Sequence, residues 1–201
     1  MQEETDRAGR YKRGRRGLTL IEVIIMVGIM ALLASVVVRT FRPRINSAEA
    51  AALVGSLETV RLAILNFKAT VGKYPSRLRL LVYPPDSQVP NEPNVIDDDA
   101  CGSAFVAADI AAWRGPYLDQ RVTQDGIRVG TATIENEMTR VSGETPAVNA
   151  RRGELIVTVI EVPSDIAALV EGTLDSVSDF AAGMIRYTGT TLTYRFPIVG
   201  C

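Results

Sequence analysis

The chain has 201 residues, 47% of them hydrophobic, with two cysteines, no histidine and a formal net charge of −1. Without histidine, Ser-His-Asp and Cys-His catalysis are excluded and the commonest zinc ligand is missing. The near-balanced charge gives no signal for a nucleic-acid or strongly acidic partner. Residues 1–17 hold six basic and three acidic side chains, so the remainder carries −4. From Leu18 to Val38 an apolar run follows, interrupted only by Thr19, Glu22, Gly28 and Ser35. As a helix it rises roughly 32 Å, enough to cross a hydrocarbon core of roughly 30 Å. It is longer than the apolar part of a cleaved secretory signal, about 7–15 residues, and stops at Arg39, so it reads as a retained span. Six basic residues precede it (Arg7, Arg10, Lys12, Arg13, Arg15, Arg16) and three follow (Arg39, Arg42, Arg44). That imbalance places the N-terminus in the cytoplasm and the C-terminal body outside.

Glu22 is the anomaly of the run, because a carboxylate inside a membrane is costly and normally partnered. A cut between Gly17 and Leu18 would create a partner, the new α-amine of Leu18, one helical turn or about 6 Å away along the axis. Pairing within the chain, or with the amine of a parallel neighbour, would offset part of the desolvation cost and fix the register between helices. Basic residues, then Gly17-Leu18-Thr19-Leu20-Ile21-Glu22 and a long apolar helix, resemble the prepilin leader of type IV pilins and type II secretion pseudopilins. The resemblance implies cleavage after Gly17 by a prepilin peptidase, N-methylation of Leu18, and Glu22 as the carboxylate that docks the subunit into a filament. Leu18 departs from the family's usual phenylalanine at that position.

Pro43 should kink or break the helix. Beyond it Leu53, Leu57, Val60, Ile64, Phe67 and Val71 recur at alternating steps of four and three, an amphipathic helix with one core face and Glu58 and Arg61 as a surface pair. Gly72 ends it, with Pro75 shortly after. Residues 83–99 hold four prolines and read as an extended loop. The turns at Gly72-Lys73-Tyr74-Pro75 and Gly115-Pro116-Tyr117-Leu118 also resemble pseudopilin features. Residues 127–134 and 155–160 read as strands, Ser164-Asp165 as a helix start, and Met184–Tyr187 with Thr191–Phe196 as a hairpin across Thr188-Gly189-Thr190. The expected architecture is α+β. A long N-terminal helix, membrane half plus amphipathic half, packs on a small, mainly antiparallel sheet head, as in pilins. The divisions are 1–17 leader, 18–42 transmembrane and assembly helix, 43–72 amphipathic continuation and 73–201 head.

With the body outside the cytoplasm, Cys101 and Cys201 read as a disulfide closing a loop of roughly 100 residues, for which chain entropy gives about 4.7 kcal/mol. The resemblance implies the same staple; two free thiols are the alternative. Asp97-Asp98-Asp99 could offer calcium ligands but reads better as a solvated loop. Arg140, Arg151 and Arg152 are too few, on a net acidic body, to make a phosphate-binding face, so nucleic acid is not expected as a partner.

The resemblance therefore implies a non-enzymatic structural subunit, without metal or cofactor, of a type IV pilus-like or type II secretion pseudopilus filament. Its length favours a minor subunit. Its partners would be the prepilin peptidase, other pilin or pseudopilin subunits and the inner-membrane assembly platform. Before assembly it would sit in the bacterial inner membrane as a single-pass protein with its head in the periplasm. The alternative is an uncleaved single-span anchor carrying a periplasmic binding or enzymatic domain, which leaves Glu22 without a role.

Overall fold

The computed structural model describes residues 18–85, 98–142, 152–175, 180 and 183–200. The chain forms two compact units, Met1–Pro43 and Arg44–Cys201. Helix α1 covers Leu20–Val71. Pro43, where a kink or a break is expected, stands among helical residues, and the boundary between the two units falls directly after it.

In the second unit the helix packs with a five-stranded antiparallel sheet, an α+β arrangement. The strands are β1 (Gly126–Val129), β2 (Ala132–Ser142), β3 (Arg152–Ile160), β4 (Ile185–Thr188) and β5 (Thr191–Val199), in the order β1-β2-β3-β5-β4. Two short helices, α2 (Ala107–Ala112) and a 3-10 turn at Leu78–Leu81, precede the sheet. Helix α3 (Ser164–Leu174) joins β3 to β4 and begins at the residue that the sequence marks.

Leu53, Leu57, Val60, Ile64, Phe67 and Val71 are all buried, in one cluster with Ile134, Leu155, Val157, Leu192, Tyr194 and Phe196. The alternating steps of four and three thus correspond to the face of α1 that meets the sheet. Each large side chain withdrawn from water there contributes about 1.5–3 kcal/mol before entropy is counted. Gly72 terminates the helix with φ +83 while its N–H donates to the Lys68 carbonyl at 2.9 Å, a left-handed cap that favours glycine.

The single strand expected over 127–134 is a hairpin. Val129 faces Ala132 across Gly130-Thr131, and Gly130 has φ +60. A two-residue turn with glycine first is the geometry that suits the strand twist. The hairpin between β4 and β5 repeats it with Gly189-Thr190, where Gly189 has φ +67. Between Ile134 and Met138, β2 advances four residues while β3 advances two, from Val159 to Val157. The bulge serves the turn after α1: Asn136 Oδ1 accepts from the Arg79 amide at 3.1 Å, and the Met138 amide donates to the Ser76 carbonyl at 2.8 Å.

Among the described residues, Arg44–Val71 is the one helical stretch long and apolar enough to cross a membrane. It is also the core helix of the head, and core helices meet that criterion by composition. Leu20–Ser35, within the span expected from the sequence, is a shorter apolar helix.

Candidate functional site

The N-terminal site begins at Leu18, since Gly17 lies outside the described residues. Leu18 and Thr19 are not helical and α1 starts at Leu20. The Glu22 amide donates to the Thr19 carbonyl at 3.1 Å and to Thr19 Oγ1 at 3.3 Å, and the Val23 amide donates to the same carbonyl at 3.2 Å. Thr19 is therefore the helix N-cap. Thr-x-x-Glu is the sequence form of a capping box, a signal available in the chain and separate from any cleavage motif. Glu22 stands in the first turn, where the free amides and the helix dipole favour a negative charge.

Beyond it the apolar side chains from Leu18 to Val37 are between 45% and 79% exposed wherever they are described. Within its own unit the helix is apolar around its whole circumference. Its polar interruption at Ser35 is satisfied internally, the hydroxyl donating to the Leu32 carbonyl at 2.7 Å.

The cysteine region lies at the other end of α1. Cys101 is disulfide-bonded, and Cys201 lies outside the described residues. Two further residues, Asp99 and Tyr74, organise this end. Asp99 is buried, and its Oδ1 accepts the amides of Cys101 at 2.8 Å and Ser103 at 2.9 Å. It is a turn-forming side chain, which corrects the solvated-loop expectation for this residue; Asp98 is exposed and Asp97 lies outside the described residues. Tyr74 is the second. Its carbonyl accepts the Ala100 amide at 2.9 Å, and its hydroxyl lies 3.3 Å from the Val199 amide and 3.4 Å from the Val199 carbonyl. Lys68 Nζ sits 4.5 Å from the centre of the Tyr74 ring and donates to the carbonyls of Gly72 at 2.7 Å and Gly200 at 3.4 Å. One tyrosine thus holds the residue next to Cys101 and lies one residue from the neighbour of Cys201.

The Gly-Pro-Tyr-Leu turn packs against the same end of the helix. Phe67 and Trp113 each meet the Tyr117 ring edge-on at 5.6 Å, and Trp113 Nε1 donates to the Leu80 carbonyl at 3.1 Å. A Cβ on Gly115 would fall 2.3 Å from the Trp113 ring, so only glycine fits.

Among the described residues no three His, Cys, Asp or Glu side chains gather as a metal site. Arg140 is in β2, Arg152 begins β3 and Arg151 lies outside the described residues. No protein-family model, curated protein or solved structure matches the chain.

Proposed function

We propose that this protein is a structural subunit, of the minor kind, of a type IV pilus-like or type II secretion pseudopilus filament. A prepilin peptidase cuts after Gly17, Leu18 carries the new methylated amine, and Glu22 docks the subunit against its neighbours. The long helix has two working halves, one for membrane and filament and one for the head, which resembles that of a pilin. Before assembly the chain is held once through the bacterial inner membrane with its head in the periplasm. It engages the assembly platform there and catalyses nothing.

The observation that carries this reading is the uncovered apolar surface from Leu18 to Val37 with a single carboxylate at its start. A plain anchor needs only the apolar surface, whereas a helix that must find a register against others gains from a charge in it. The Tyr74 contacts support the further proposal that Cys101 and Cys201 pair, since they bring Ala100 and Val199, each within two residues of a cysteine in sequence, to one side chain. A second reading is favoured by the Thr19 cap: Glu22 then serves only to complete a capping box, and the chain is an uncleaved anchored domain.

The intact mass and N-terminal sequence of protein purified from its own membranes separate the two. A chain beginning at Leu18 with one extra methyl group supports the filament subunit. A chain that keeps residues 1–17 beside an active peptidase sinks it.

A further inference from the structure

Just before β1 the chain closes a four-residue loop on itself. The Gly126 amide donates to the Thr123 carbonyl at 3.1 Å, and the Gly126 carbonyl accepts from the Thr123 amide at 2.9 Å and hydroxyl at 2.8 Å. Gly126 has φ +126, and a Cβ there would fall 1.9 Å from the Ile134 carbonyl oxygen, so glycine alone lets the loop press onto β2. The Asn136 amide fixes the loop from that strand by donating to the Asp125 carbonyl at 3.2 Å. Beside this frame a cavity of about 590 Å³ opens, with Gln120 and Arg121, β1 and Ser56 of α1 in its lining. The volume falls within the roughly 300–1,000 Å³ of small-molecule sites, large for a bare ion.

Three charged side chains line the cavity, Arg121, Arg128 and Asp125, all of them exposed. None forms an ion pair or a side-chain hydrogen bond among the described residues. By contrast Arg61, Arg77 and Arg195 each sit on a carboxylate of the head. Two guanidinium groups against one acid leave the cavity with one net positive charge, on a body that carries −4 beyond residue 17. A monoanion neutralises that charge and a dianion exceeds it. The guanidinium fork matches a carboxylate with two parallel hydrogen bonds. The rest of the lining is mixed. The hydroxyls of Ser56 and Thr133 and the amide of Gln120 are also without partners among the described residues, while Ile127 and Val129 add apolar surface. Polar groups around an apolar patch suit a hydroxylated ring with one apolar face, the chemistry of a sugar.

We propose that this cavity binds a sugar-sized monocarboxylate of the hexuronate class. Arg121 and Arg128 hold the carboxylate, and Ser56, Gln120 and Thr133 bond the hydroxyls. Asp125 is the counter-charge that turns away more highly charged anions. The site lies wholly within Arg44–Cys201 and does not rest on the filament reading.

The test titrates the full-length protein in detergent micelles with glucuronate, read by saturation-transfer NMR of the sugar protons. Half-saturation is expected at about 1 mM, the range for a ligand of this size. Glucose, which lacks the carboxylate, should bind about tenfold more weakly, and glucose 1-phosphate, with its higher charge, should also bind more weakly than glucuronate. Arg121→Gln with Arg128→Gln should weaken glucuronate about tenfold. Ser56→Trp fills the cavity from the helix side with both arginines kept, and should abolish binding. Thermal unfolding of each variant shows that the head is intact. Saturation that survives both variants, glucose bound as tightly as glucuronate, tighter binding of glucose 1-phosphate, or no saturation up to roughly 50 mM would each overturn the proposal.

Discussion

The Tyr194 hydroxyl donates to Glu58 Oε1 at 3.1 Å, joining the last strand to α1 from inside the core. Arg61 reaches the same hydroxyl at 3.4 Å and Glu58 at 3.7 Å, so the surface pair legible in the sequence is also a tether. Burial, and then the bond to Glu58, push the Tyr194 hydroxyl above its ordinary 10.0. Because the folded state holds this proton more tightly, its contribution is complete below pH 10.0 and is lost as pH rises through the folded value. Tyr194→Phe should cost about 1 kcal/mol near neutral pH, about 2–4 °C in Tm, since Glu58 keeps water and Arg61 as partners. It should also flatten the alkaline fall in stability. Denaturant titrations across pH check both; an unchanged alkaline limb would contradict the assignment.

Lys73 and Asp109 make the corresponding contact beyond the helix end. Lys73 Nζ lies 2.8 Å from Asp109 Oδ2, and the Val106 amide donates to the same oxygen at 2.9 Å. The lysine bond first, and the amide second, hold the Asp109 carboxyl below its ordinary 3.8. A lowered value stabilises the fold above the unfolded pKa, and that share is lost as pH falls from 3.8 through the folded value. Asp109→Asn should therefore lower stability modestly at neutral pH, leave it close to the parent's at low pH, and so make the acid limb shallower. An acid limb identical to that of the parent protein would show that the pair is screened away.

The parts of the fold legible in the sequence are those with a period. The stripe from Leu53 to Val71 and the glycine after it are visible because burial on one helix face repeats. The β1–β2 hairpin was not, because residues 127–134 are β-branched on both sides of Gly130-Thr131 and alternation alone does not show where a chain reverses. Gly189-Thr190 offers the same dipeptide between shorter runs, where the reversal is legible. The roles of Asp99 and Tyr74 carry no pattern, although both stand in motifs visible in the sequence: one fills a turn inside an acidic run, the other binds a strand 125 residues away. Thr19 had a signal, the spacing to Glu22, eclipsed by the motif around it.

Tyr74 leads to a prediction about the cysteines. If Cys101 and Cys201 pair, thiol titration of unreduced, unfolded protein should find no free thiol. Cys201→Ser should lower stability by about 2–5 kcal/mol, and Cys101→Ser by a similar amount, with no further loss in the double variant. Tyr74→Phe should cost about 1 kcal/mol through Val199 while leaving the bond formed. Two titratable thiols would mean that neither cysteine is bonded, and losses that add would mean that each is bonded to a different partner.

The two readings of Glu22 separate at Thr19. Thr19→Val removes the side-chain cap and leaves the carboxylate, so it should weaken the first turn by about 1 kcal/mol. Glu22→Gln keeps a capping-box side chain and removes only the charge. A docking carboxylate makes these variants unequal: Glu22→Gln should abolish incorporation into filaments while Thr19→Val assembles. A cap alone makes both mild, because a solvated or headgroup-facing helix end loses one bond in either case. The comparison is made on cell-surface or periplasmic filaments sheared from cells, against the membrane-bound pool of each variant. Unequal incorporation with equal membrane pools assigns the charge to contact between subunits, since insertion is then the same for both and only assembly differs.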